Sequence, residues 1–382
     1  MSLIYLDAKK HNITSCRITA RSYRFNYEEN KMAESKYVAY VGTYTHETSV
    51  GIYVYDVDPD KGLLKERSVA PINNPSDIIN SKDNKFLYSI ADEGVASFKI
   101  LENGDLEKMN QEWVGGMRGC NLCVDSQNRY LFVAGYHDGR VTMMSLNKDG
   151  SIGSIADGIF HQGIGKSVAD RPLYPHCTCV ELTPDEQFLC VVENGLHQIK
   201  IYEVDYEMGK LRLVDIVRCA MGSAPLKMKF SNDGKYAYVI TEMSNEILVY
   251  DYHIIEGHPD FENIQTVSLL VGVDEEISTG TNIKFGDDDT FLYASVDGLN
   301  AICMYKRDVK SGKIDYFAHS FISGDYPKSF AVLPGDKYYV SLNHDTNEIR
   351  SFTIDKKEGH SLMQNAPIKI AKPNSIVVVK IK

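Results

Sequence analysis

From Tyr37 onward, apolar residues come in short runs broken by Gly, Asn and Asp. Runs of that length suit strands better than helices. One phrase recurs: a strand, a polar turn, then a second strand ending in an aromatic or apolar pair. Examples are "KYVAYVGTYTHETSVGIYVYDV" (36–57), "RYLFVAGYHDGRVTMMSL" (129–146) and "KYAYVITEMSNEILVYDY" (235–252). Seven copies follow one another at an interval of roughly 45–58 residues. Period-2 alternation and β-branched or aromatic content predict a hairpin in each copy.

A further strand precedes most copies, as in "NPSDIIN" (74–80), "PHCTCVEL" (175–182), "APLKMKF" (224–230) and "PKSFAVL" (327–333). A polar turn, "SKDN", "TPDE" or "SNDG", joins it to the hairpin. A fourth strand such as "LRLVDIVR" (211–218) closes the unit. Four strands at this period predict an all-β, seven-bladed β-propeller of four-stranded antiparallel blades. The first copy lacks a leading strand, and the C-terminal "KPNSIVVVKI" (372–381) has the matching pattern. The last strand is therefore expected to complete the first blade, leaving no free sheet edge. The propeller is placed at 37–382. Residues 1–36 read as a leader that is either disordered or the product of a mis-called start, with Met32 as the natural opening.

Composition narrows the function. The net charge is -11, which argues against a nucleic-acid partner, whose phosphates are neutralised by Lys and Arg. It leaves room for a small anionic substrate in a locally basic pocket. No apolar run is long enough to span a bilayer as a helix, so no membrane partner is expected. Eight scattered cysteines without framework spacing suggest free thiols in a reducing, cytoplasmic setting.

The motifs "YVGTYT" (first blade), "NPS" (second), Pro-His in the fourth and the repeated Asp-containing turns resemble the propeller lactonases. These are the YbhE-type 6-phosphogluconolactonases, with the fungal carboxymuconate cyclases as relatives. The resemblance covers about residues 37–382. It implies lactone hydrolysis at the channel mouth, with a small-molecule lactone as partner and 6-phosphogluconolactone as the default substrate.

The family's site residues carry over unevenly. Its fourth-blade Arg-Gln-x-x-Pro-His-x-His reads here from Arg171 to Thr178: Arg171 and His176 remain, Pro172 replaces Gln, and Thr178 replaces the second His. Its following Asp is Glu193, and its fifth-blade Glu is kept as Glu242. Its Pro-Arg-His becomes Pro225, Leu226 and Lys227. Elsewhere Asp297 and Lys328 stand for Arg, and Asn121 for His.

In a propeller the leading strands line the central channel. Their first residues, Ser76, Cys120, Thr178, Leu226, Thr281, Lys328 and Asn374, are expected at one mouth. The next positions are Asp77, Asn121, Cys179, Lys227, Asn282, Ser329 and Ser375. A polar mouth is a natural ligand pocket. Lactone hydrolysis needs a group to activate water, and His176, Glu242 and Glu193 are the candidates. It also needs donors for the oxyanion and for the substrate's hydroxyls and anion. Lys227, Lys328 and Arg171 are candidates there, with Asn121 and Thr178 as further binding residues. Asp297 would reverse a local charge and favour a neutral or cationic group.

Two decoys fall away. "HQGIGKS" (161–167) lacks the first Gly of a phosphate loop. "CNLC" (120–123) and "HCTC" (176–179) suggest metal or redox sites, but strand parity puts Cys120 and Cys123 on opposite faces. Cys177 and Cys179 would share a face, turned into the blade sandwich, with His176 and Thr178 at the channel. No cofactor or metal is called for. The expected protein is a lactonase, monomeric or a weak homo-oligomer. A non-catalytic metabolite- or protein-binding propeller and a muconate-type cyclase or isomerase are the alternatives.

Overall fold

The computed structural model describes residues 37–163, 174–273 and 277–381. They form seven four-stranded antiparallel sheets. Sheet order within each follows the chain, except in blade 1. There Pro373–Lys380 is the inner strand, followed outward by Tyr37–Thr43, Gly51–Asp58 and Leu63–Pro71. The pairing runs from Tyr37 opposite Lys380 to Thr43 opposite Pro373. The last strand therefore closes the first blade, as its sequence predicts.

The inner strands of blades 2 to 7 are Ile78–Asn80, Asn121–Val124, Cys177–Leu182, Pro225–Phe230, Thr279–Phe285 and Pro327–Val332. Each lies against the inner strands of both flanking blades, which makes a ring. Seven apolar clusters fill the seven gaps between blades, one per interface. The ring axis is left to polar groups.

The second and third strands of each blade are buried on both faces. In Tyr37–Thr43, Val38 and Tyr40 pack toward blade 2, whereas Ala39 and Val41 pack toward blade 7. These strands consequently read as nearly continuous apolar runs, not as the alternation expected from the sequence. Alternation with solvent survives best in outer strands such as Leu63–Pro71.

A hydrogen bond recurs at these interfaces. The second-strand hydroxyls of Tyr40 and Tyr238 donate to the carbonyls of Gly104 and Gly312, at 2.8 and 2.5 Å. Both glycines sit in the last turn of the next blade with positive φ. A Cβ on Gly104 would strike Val38. At the blade 1–2 and blade 5–6 interfaces these tyrosines thereby tie one blade to the next. At blade 6 the buried Arg307 guanidinium adds another: it contacts Asp289 at 2.8 Å, Asp233 at 3.2 Å and the Tyr238 hydroxyl at 2.8 Å.

Two tests of this packing follow. A chain ending at Ala371 lacks the closing strand and bares the edge of Tyr37–Thr43; it should lose the cooperative thermal transition of the full chain. A transition at the same temperature would refute the closure role. Asp289→Ala leaves a buried guanidinium partly unpaired and should cost about 3 kcal/mol in denaturant unfolding.

Candidate active site

A backbone device repeats at the start of the inner strands. Register to the second strand slips by one residue at Thr178, Leu226, Thr281, Lys328 and Asn374. Such a bulge leaves the extra residue unpaired and re-aims its side chain. These five, with Ser76 and Cys120, all line one cavity at the channel mouth, about 520 Å³ in volume. The seven residues of the next row line it too.

The bulge also corrects the reading of "HCTC". With Thr178 outside the register, Cys177 and Cys179 face opposite sides of blade 4. Cys177 packs against blade 3 and Cys179 against blade 5. Blade 3 bends similarly, because Cys120 N donates to the carbonyl of Ala134, the residue paired with Asn121. Cys120 and Cys123 thus both reach the blade 3–4 core, not opposite faces. Burial holds their thiols at about 12. All the described cysteines are free.

Lys227, Lys328, Asn121, Thr178 and Glu242 line the cavity as the sequence suggested. Three other candidates do not reach it. His176 precedes its strand and lies behind Tyr136, stacked at 4.3 Å between ring centroids, with Nδ1 donating to the Tyr136 carbonyl at 2.7 Å. Glu193 is fully buried; its Oε1 accepts from the backbone N–H of His176 at 2.5 Å and of Gly195 at 3.2 Å. Its other oxygen faces His161 in the blade 3–4 gap, at 3.7 Å. His176 therefore positions Tyr136, and Glu193 pins the turn. Asp297 also lies outside the lining; its Oδ1 accepts from the adjacent Gly298 N–H at 2.9 Å. Arg171 lies outside the described residues.

The lining includes charged groups that motif reading passed over: Arg118, Lys229 and Lys284. Lys229 and Lys284 follow Lys227 and Asn282 by two residues, so strand periodicity places them on the same face. Extending the mouth row one more period would have found both. Arg118 comes from a loop and Tyr44, Tyr136 and Tyr326 from strand ends and turns, where no period applies.

Five cationic side chains thus meet two carboxylates, Asp77 and Glu242. Lys229 is matched by Glu181 from blade 4, at 2.7 Å. Lys227 donates to the Thr178 carbonyl at 3.4 Å, and Lys284 to that of Ile376 at 3.2 Å. Lys328 stands between two aromatic rings, 5.1 Å from the Tyr44 centroid and 5.3 Å from that of Tyr326. Arg118 covers the same Tyr44 ring at 5.0 Å. Burial, then neighbouring cations, push the ammonium groups of Lys284 and Lys328 down to about 8.

Asp77 is committed to structure. Its Oδ2 accepts from Asn121 Nδ2 at 3.0 Å and Leu122 N at 2.9 Å, tying blade 2 to blade 3. Asn121 Oδ1 accepts from Val180 N of blade 4 at 2.9 Å. Glu242 is freer: Asn194 donates to its Oε2 at 2.8 Å, and Oε1 has no hydrogen-bond partner among the described residues. The arrangement offers one oriented carboxylate, several cations and a rim of Asn, Ser and Thr.

A propeller whose mouth gathers cations around an oriented carboxylate defines the class. The sequence profile described as "Lactonase, 7-bladed beta-propeller" matches residues 38–378. The chain belongs to this seven-bladed lactonase family. It is 30% identical over 345 residues to the 6-phosphogluconolactonase of Bacillus subtilis, covering 89% of this chain and 97% of that one. An uncharacterised Lactococcus lactis protein is 28% identical, covering 84% and 92%. Among solved structures, a Bacteroides fragilis protein provisionally assigned as a 6-phosphogluconolactonase superposes with a TM-score of 0.81 at 29% identity, covering 90% of this chain and 98% of that one. The periplasmic gluconolactonase of Pseudomonas aeruginosa shares the fold, with a TM-score of 0.84 at 23% identity and coverage of 91% and 99%.

The lysines make a checkable claim about stability. Lys284 binds its proton less tightly folded (about 8) than at its ordinary 10.5. The folded state therefore carries fewer protons between those values, and stability rises with pH across that window. Lys284→Met removes the buried charge and should stabilise the fold at pH 7 by roughly 1–2 kcal/mol, less than the full shift because the ammonium borders an open cavity. The gain should shrink toward pH 10. Urea midpoints at pH 7 and 9.5 measure it, and no gain at pH 7 would contradict the account.

Proposed function

We propose that this protein hydrolyses the lactone of a sugar acid bearing an anionic group, with 6-phosphogluconolactone as the leading candidate. The observation that carries the reading is local charge. A chain of net charge -11 concentrates Arg118, Lys227, Lys284 and Lys328 around one mouth cavity. Cations in a low-dielectric cleft attract an anionic substrate and stabilise negative charge that develops during reaction.

Glu242 is the group for water activation. Asn194 holds one carboxylate oxygen, which leaves the other to accept the proton of an attacking water. Attack makes a tetrahedral centre whose oxyanion is met by a lysine ammonium. Collapse breaks the ring C–O bond, and the leaving alkoxide takes up a proton. Lys227 and Arg118 hold the substrate's anionic group, while Asn282, Ser329 and Ser375 can bond its hydroxyls. His176 and Glu193 act one layer back, through Tyr136 and the turn they fix. No metal or cofactor enters these steps.

Lactone opening, followed by proton release and corrected for spontaneous hydrolysis, tests the reading. Glu242→Gln should lower kcat about a hundredfold while the fold survives. Lys227→Met should raise KM for the phosphorylated lactone about tenfold, and much less for the unphosphorylated one. If no lactone opens faster than in buffer, the site is a binding site only and the hydrolase reading fails.

A further inference from the structure

Four lysines line the cavity, and three are engaged: Lys227 with a carbonyl, Lys229 with Glu181, Lys284 with a carbonyl. The Lys328 ammonium makes no hydrogen bond or ion pair to a described residue, although its backbone N–H donates to the Tyr326 carbonyl. Its bulge turns it into the cavity, and its Nζ sits between the rings of Tyr44 and Tyr326. We propose that Lys328 is a covalent capture site for a small anionic aldehyde or ketone, an activity separate from lactone hydrolysis and not dependent on it.

Three requirements of imine chemistry meet here. The amine must be partly neutral, which an apolar wall and neighbouring cations promote. Around Lys328, burial acts first, then Lys227 from blade 5 and Arg118 from the loop before blade 3; Cys120 and Asp345 oppose with smaller effects. His344, on the adjoining hairpin, is itself held near 4, so it adds no charge at neutral pH. Second, the ligand must be held beside the amine. Arg118 shares the Tyr44 ring with Lys328 and offers a fixed cation for phosphate or carboxylate. Third, the amine must be reachable, and it lines the cavity.

The step balances without a further reagent. The Nζ lone pair attacks the carbonyl carbon, and a C–N bond forms. The nitrogen's two protons pass to the carbonyl oxygen, which leaves as water, and a C=N bond remains.

Pyridoxal 5′-phosphate is a suitable probe: an anionic aldehyde whose imine borohydride fixes as a secondary amine. The full chain is treated at pH 7.5, reduced and mapped by peptide mass spectrometry. Lys328 should be labelled at least about tenfold faster than the exposed Lys61 and Lys148. Pyridoxal without phosphate should label it more slowly, and inorganic phosphate should protect it. Lys328→Arg keeps the charge, cannot form an imine, and should lose the adduct with its melting transition unchanged. Label spread over surface lysines, or concentrated on Lys227 or Lys284, overturns the proposal. So does equal labelling by pyridoxal. Labelling without lactone turnover supports capture while the hydrolase reading fails; turnover without labelling does the reverse.

Discussion

Burial of the middle strands on both faces is the constraint from which the rest of the structure follows. Val38 and Ala39 are adjacent in sequence yet belong to different cores. No blade can bury its own apolar surface, because each core needs residues from two blades. The sheets must then stand face to face around an axis, and a ring is the arrangement that leaves no face unpaired. Apolar material is used up between the blades. The axis falls to the first residues of the inner strands, which are the polar ones.

That division of labour explains how the mouth tolerates so much charge. Its carboxylates and amides are first of all ties between blades: Asp77 to Asn121 and Leu122, Asn121 to Val180, Asn282 to Ser329, Asn374 to the Ser76 carbonyl. A polar group so engaged costs little to bury. The lysines differ, since two of them hold protons reluctantly. Their presence is a stability cost that the interblade cores offset and that an anionic ligand would relieve.

The blade count, the closing strand and both rows of mouth residues were legible from the repeats, because strand periodicity and turn chemistry are local. Lys229 and Lys284 were equally legible one period further along. What escaped was geometry set by neighbours. The one-residue bulges depend on how the inner strand meets the second, so the facing of Cys177 and Cys179 could not be read from parity. His176 sits before its strand begins, and stacking on Tyr136 from blade 3 draws it behind the wall. Asp297 ends its strand, and its side chain turns back to accept from the N–H of the following Gly298. Arg118 and the tyrosines arrive from loops, which carry no period at all.

The closing strand has one more role. Asn374, Ser375, Ile376 and Val377 pair with the N-terminal strand and are also part of the cavity wall. Until this strand pairs, the binding chamber is therefore open on one side. One strand supplies both the seal and a stretch of wall. Contacts so distant in sequence form late. A chain in which this strand has not yet paired cannot offer a finished chamber to a metabolite, so ring closure and binding competence arrive together.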